Sequence, residues 1–195
     1  LERGDLLLVV FGTGSSGKTS LIRALLKDIV GDVGSAMGST SRSSSYRLRL
    51  RGLERGVVLV DTPGILEAGQ EGRGREQEAR RQAGRADLMI VVVDGDLRKS
   101  ELDVVQNLSG VGKRLLLVLN KCDLRGEEEE RRLLQLLRQR CREWLRPEDV
   151  IPASARPQSL PRPGQHPVQP PAEVGLLVRR LAAVLYADGE ELLAD

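Results

Sequence analysis

The run Leu6-Leu7-Leu8-Val9-Val10-Phe11 leads directly into Gly12-Thr13-Gly14-Ser15-Ser16-Gly17-Lys18-Thr19-Ser20, and a helical pattern follows. Six apolar residues that stop at a glycine read as a strand covered on both faces. The turn has the spacing G-x-x-x-x-G-K-S/T between an apolar strand and a helix. Glycine permits the backbone angles that aim several N–H groups at one anion, and the N-terminus of the following helix adds a favourable dipole. On this reading residues 12–20 cradle phosphate oxygens, Lys18 reaches the β- and γ-phosphates, and the Thr19 hydroxyl is a ligand for Mg²⁺.

The same alternation continues along the chain. Strands are predicted over 5–11, 46–51, 56–60, 87–93, 114–119 and 149–151, and helices over 17–27, 73–83, 100–109, 127–146 and 172–187. Solid Leu/Val runs suit a parallel sheet flanked by helices, whereas Tyr46-Arg47-Leu48-Arg49-Leu50-Arg51 alternates and suits an edge strand. The expected architecture is α/β, with a mostly parallel six-stranded sheet, one antiparallel edge strand, and helices on both faces. Residues 31–45, with three glycines and six serines, and residues 156–171, with six of the nine prolines, read as loops. Glu127 to Glu130 open the fourth helix, where negative charge favours the dipole.

Three further clusters stand at strand ends. Asp61-Thr62-Pro63-Gly64 follows Val57 to Val60, placing a carboxylate where α/β sheets hold ligands, well sited for magnesium. Taken alone it is an ordinary turn sequence. Asn120-Lys121-Cys122-Asp123 follows the strand over 114–119. One carboxylate can accept two hydrogen bonds from the N1–H and 2-amino group of guanine, and adenine offers no matching donor pair, so Asp123 is the candidate base selector. Pro152-Ala153-Ser154-Ala155 follows the last short strand, where a small residue with a free N–H can approach the guanine O6.

Together, in order and each at a strand end, these four pieces resemble the motifs of the P-loop GTPases, and D-T-P-G with N-K-x-D is most similar to the Era, TrmE and septin branch. The resemblance implies a three-layer G domain with a Mg²⁺·GTP site. It places residues 12–19 around the phosphates, Asp61 on magnesium through water, and the Gly64 N–H on the γ-phosphate. It implies that Asn120 braces the base and phosphate loops, that the Lys121 stem lies along the guanine plane, that Asp123 reads the base edge, and that Ser154 and Ala155 close the base pocket. Thr40, the only threonine in the serine-rich loop, takes the place of the threonine that completes the magnesium shell. Lys18, Thr40 and Gly64 are therefore the candidate catalytic group, and Thr19, Thr40 and Asp61 the candidate metal group.

GTP hydrolysis passes through a charge-spread transition state, so the protein supplies positioning and electrostatics in place of a covalent nucleophile. Where Ras-like enzymes orient water with a glutamine, this chain has Ile65, which cannot hold water. Slow intrinsic turnover follows, with the missing group supplied by a partner, a second copy of the chain, or a residue such as Gln70, Arg73 or Arg42. Some Era and TrmE relatives hold a potassium ion with a P-loop asparagine; Ser15 stands at that position here. The implied function is a GTP-hydrolysing molecular switch with an unknown protein or RNA effector and a possible nucleotide-dependent homodimer. The alternative is a GTP-dependent scaffold with negligible hydrolysis.

Composition narrows the classes. With 195 residues, 40% hydrophobic and 2% aromatic, the chain is expected to form one domain with an aliphatic core. A net charge of +2 gives no footprint of a dedicated nucleic-acid binder. Cys122, Cys141 and His166 are too few for a structural zinc site or a disulfide framework, which fits a reducing, cytoplasmic setting. The longest apolar runs, 6–11 and 88–93, are far below the ~20 residues that cross a bilayer. Because the chain opens on Leu1, it is expected to be a domain excised from a longer protein.

Overall fold

Strand β1 (Leu6–Gly12) pairs in parallel with two strands far along the chain, Leu6 with Val57 and Leu8 with Leu88, and so becomes the centre of the sheet. The computed structural model describes residues 4–30, 36–40, 43–48, 55–62, 72–162 and 165–191. After β1 come α1 (Lys18–Val30), β2 (Ala36–Thr40), β3 (Ser43–Leu48), β4 (Val57–Asp61), α2 (Gly72–Arg85), β5 (Leu88–Val93), α3 (Lys99–Ser109) and β6 (Arg114–Leu119). The rest is α4 (Glu127–Arg140), β7 (Val150–Pro152), a hairpin of β8 (Leu160–Arg162) and β9 (Gln165–Val168), and α5 (Gly175–Glu191).

The sheet runs β2-β3-β4-β1-β5-β6-β7. All six predicted strands are in it, five of them mutually parallel, and β3 is antiparallel to β4. A seventh strand corrects the expectation of a terminal β3: β2 lies antiparallel outside it, so β3 is second from the edge. Serine and glycine gave that segment no apolar period, yet an edge strand has less surface to bury and needs less apolar content.

Side chains alternate within the apolar strands. Leu6, Leu8 and Val10 of β1, with Ile90 and Val92 of β5, face α1 and α5, where Leu21, Ile22, Leu25, Leu177, Leu181 and Val184 complete one core. Val9, Phe11, Met89, Val91 and Leu117 point to the other side and pack with Ala83 of α2, Val105 and Leu108 of α3, and Leu134 and Leu137 of α4. Each fully buried Leu, Ile or Phe contributes about 1.5–3 kcal/mol of burial free energy. The two cores press the sheet from both faces, which holds the carboxyl ends of the parallel strands along one rim.

Two boundaries differ from the sequence reading. The helix predicted over 127–146 ends at Arg140, and residues 141–145 continue as turns in which Cys141 and Leu145 are buried. The stretch 156–171 is not plain loop, because Leu160 pairs with Val168 and Arg162 with Gln165 in a two-stranded hairpin. Proline removes ladder donors but is tolerated at such a free edge. Among the described residues, no helix is long and apolar enough to cross a membrane.

Candidate functional site

The glycine loop is shaped by two close approaches. A Cβ on Gly12 would lie 2.6 Å from both the Ser16 Oγ and the Val92 carbonyl. Gly17 has φ +87°, and a Cβ there would lie 2.5 Å from Asn120 Nδ2. Only glycine fits either position, which lets the chain reverse between β1 and α1 while touching the neighbouring strand ends. Inside the turn, Ser16 is fully buried and its hydroxyl donates to the Thr13 carbonyl at 2.9 Å. Gly14 and Ser15 are exposed, and Ser20 is half-buried in the first turn of α1.

Lys18 is 6% exposed, and its Nζ donates to the carbonyls of Gly12 at 3.0 Å and Thr13 at 2.7 Å. The ammonium is thus folded back over the loop it belongs to. There its charge adds to that of the N–H groups at the start of α1, the combination that attracts phosphate. A cavity of about 560 Å³ flanks Thr13, Gly14 and Ser15 on the side of Asp94, Asp96 and Arg98.

Asp61 ends β4 beside the loop, and the Thr19 hydroxyl donates to its Oδ2 at 2.6 Å. Among the described residues, the buried Asp61 Oδ1 has no hydrogen-bond partner. A hydroxyl and an orphaned carboxylate oxygen side by side are hard oxygen donors of the kind magnesium takes, so this pair fits the ion that the sequence implies. Next along the chain, Thr62 is buried and its hydroxyl donates to the Val10 carbonyl at 2.6 Å, tying the turn back to β1.

Thr40 is the last residue of β2. The register sets Ser39 opposite Ser44, and Ser44 opposite Asp61. Thr40 therefore reaches the same rim as Asp61 but lies about two strand spacings away, roughly 10 Å at the backbone. This arrangement does not bring Thr40 beside Thr19 and Asp61, because its segment is held in a hairpin and is not the loop expected. Gly64, Ile65, Gln70 and Arg42 lie outside the described residues, as does the side chain of Arg73.

Across the rim stands Asn120, just after the end of β6. It is 2% exposed; its Nδ2 donates to the Ser16 carbonyl at 2.9 Å, and its Oδ1 accepts from the Ala155 N–H at 3.1 Å. One side chain thus joins the loops after β1, β6 and β7. The Asp123 N–H donates to Ser154 Oγ at 3.1 Å, and its carboxylate Oδ2 accepts the Gln158 N–H at 3.0 Å. Cys122 is buried beneath, its thiol pushed up to about 11 chiefly by loss of solvation, so it packs as a neutral group.

Three participants escaped the sequence reading: Asp94, Arg125 and Gln158. Lys121 sits in the left-handed region at φ 60°, and its ammonium pairs with Asp94 at 2.7 Å, which fixes the stem intended for the base. Arg125 donates to the carbonyls of Lys121, Asn120 and Asp94, stapling the N-K-x-D turn to the loop after β5. Gln158 holds Asp123 through its backbone. Charged residues in loops carry no periodic signal, and a backbone donor carries none at all. The fold and its rim define a three-layer α/β protein in which the glycine loop and the N-K-x-D turn meet at one edge of the sheet through Asn120.

Residues 7–121 match the family model described as "50S ribosome-binding GTPase". The chain belongs to this GTPase family. It is 34% identical over 128 residues to the tRNA modification GTPase MnmE of Xanthomonas euvesicatoria pv. vesicatoria, covering 64% of this chain and 28% of that protein. It is 33% identical over 126 residues to the GTPase Der of Wolinella succinogenes, covering 63% and 26%. The chain thus spans little more than a quarter of the length of these relatives. Its fold is similar to that of Era in a complex with MgGDPNP and nucleotides of 16S ribosomal RNA, with a TM-score of 0.60 at 20% identity, over 78% of this chain and 51% of that one.

Proposed function

We propose that this chain is the switch domain of a longer protein and that it binds GTP with Mg²⁺ and hydrolyses it to GDP and phosphate. The observation that carries the reading is the pair of hydrogen bonds of Asn120, which locks the phosphate loop and the base turn into one site. Lys18 and the N–H groups of residues 13–19 hold the phosphates and neutralise charge that spreads over them as the bond to the leaving group lengthens. Thr19 and Asp61 would hold Mg²⁺, which would supply positive charge to offset that of the phosphates. Asp123 selects guanine and the Lys121 stem covers the ring; the Ala155 N–H, expected to be free for O6, is donated to Asn120 instead and braces the base turn.

Water orientation is the weak part of the device. Ile65 has no polar atom to align an attacking water, so intrinsic turnover is slow and an effector or a second copy raises it. Thr40 and Gly64 belong to the segments that would complete the phosphate site, and the position of β2 implies that Thr40 joins the metal only if the end of that strand moves. Relatives named for tRNA modification support RNA, or a protein bound to it, as the effector class. Two buried, unpaired cysteines support a reducing, cytoplasmic setting.

Single-turnover hydrolysis of GTP with magnesium, at low and raised protein concentration, tests the proposal. Slow conversion that accelerates with an added effector or with concentration supports a switch. Tight GTP binding with no phosphate release under any of these conditions leaves the scaffold reading in its place.

A further inference from the structure

The hairpin β8–β9 stands apart from the seven-stranded sheet, and Leu160 and Val168 on it are exposed. An isolated two-stranded hairpin is marginally stable in water. Its root, however, reaches the base-reading group. We infer that this hairpin positions the Asp123 carboxylate for guanine, with Gln169 as the positioning residue; the inference rests on the reading of Asp123 as base selector.

The chain of contacts is short. The Gln158 N–H donates to Asp123 Oδ2 at 3.0 Å. The direction of that N–H is set by its two neighbours, and Gln169 grips both: its Nε2 donates to the Pro157 carbonyl, and its Oε1 accepts from the Ser159 hydroxyl at 2.9 Å. Pro157 is itself buried and has a fixed φ, so one end of the grip is rigid. The pairing of Leu160 with Val168 brings the two legs together just beyond it. Asp123 is thereby held twice, its main chain by Ser154 and its carboxylate by Gln158.

A carboxylate offers about four acceptor positions, so taking the Gln158 N–H leaves room for the N1–H and 2-amino groups of guanine while removing rotation about the side chain. Guanine needs both oxygens in one plane with its edge. Hypoxanthine, which lacks the 2-amino group, needs less of that alignment. A loosened carboxylate therefore costs GDP more than IDP.

The test is calorimetric titration of the 195-residue chain with GDP, IDP and XDP in magnesium buffer, using the parent, Gln169→Ala, Ser159→Ala and Asp123→Asn. Gln169→Ala is expected to weaken GDP about three- to tenfold, the range of one or two lost hydrogen bonds, and to narrow the GDP-to-IDP preference in step. Ser159→Ala, which removes one strut, shifts the same ratio less, and it carries the test if Gln169→Ala does not fold. A general loss of folded protein would lower the binding stoichiometry and leave the ratio alone. If Asp123→Asn moves preference from GDP to XDP while both hairpin variants keep the parent GDP-to-IDP ratio, the hairpin has no positioning role. If Asp123→Asn leaves the GDP-to-XDP preference unchanged, the base-selector reading itself falls, and this inference with it.

Discussion

The Asn120 amide and the Ser16 carbonyl, 104 positions apart in sequence, share a buried hydrogen bond of 2.9 Å. The same amide holds Ala155, so the phosphate and base halves of the site share one polar bolt. Gly17 makes the approach possible, since any side chain there would strike the Asn120 nitrogen.

Asn120→Ala leaves a buried carbonyl and a buried N–H unpaired, at about 1–3 kcal/mol for each. We expect a melting temperature lower by several degrees and GDP affinity reduced at least tenfold, measured by scanning calorimetry and titration. Unchanged GDP affinity in a folded variant would show that the two loops do not depend on this bolt.

Lys18→Ala removes the one buried ammonium of the loop, and hydrogen bonds to charged groups are worth about 1.5–3 kcal/mol. GDP and GTP affinity should each fall roughly ten- to a hundredfold. Because Lys18 also donates to the Gly12 and Thr13 carbonyls, some loss of thermal stability accompanies it. Parent-like nucleotide affinity would remove the phosphate-loop reading.

Ser15 is exposed and offers a hydroxyl where a potassium-binding relative carries an amide. Turnover measured in KCl and in NaCl of equal ionic strength should agree within a factor of two. Marked acceleration by potassium would place a monovalent cation site on the loop after all.

Cys122 and Cys141 are both buried, and burial pushes each thiol up to about 11 from an ordinary 9. Between about pH 9 and about 11 the folded chain therefore binds more protons at these groups than the unfolded chain does. Their contribution to stability is complete below 9 and is lost as pH rises across that interval. Denaturant midpoints read from pH 8 to pH 10.5 should decline, and Cys141→Ala should shrink the decline. Native protein at pH 7.5 should resist a thiol reagent that modifies both residues once it is unfolded.

The strand-and-loop frame was legible because its signals are local. Five apolar strands announce themselves by composition and the sixth by its alternation, and residues 12–19, Asp61, Asn120, Asp123 and Ala155 stand at strand ends. What stayed hidden depends on partners far away. Strand β2 has too few apolar residues to show a period and exists through its pairing with β3. The hairpin within 156–171 was masked by its prolines. Asp94 and Arg125 look like surface charges until the fold sets them against Lys121 and its neighbours.

The position of β1 also governs how the molecule must assemble. Its partners are Val57 to Asp61 on one side and Leu88 to Val92 on the other, so this strand is flanked on both sides only once Leu88 to Val92 have been made. Parallel pairings of such long reach fold slowly, because large loops close before any contact rewards them. During synthesis, Leu6 to Phe11 stay uncovered until the chain beyond Val93 has emerged. An aliphatic segment waiting that long is a natural target for chaperones and for misassociation at high expression.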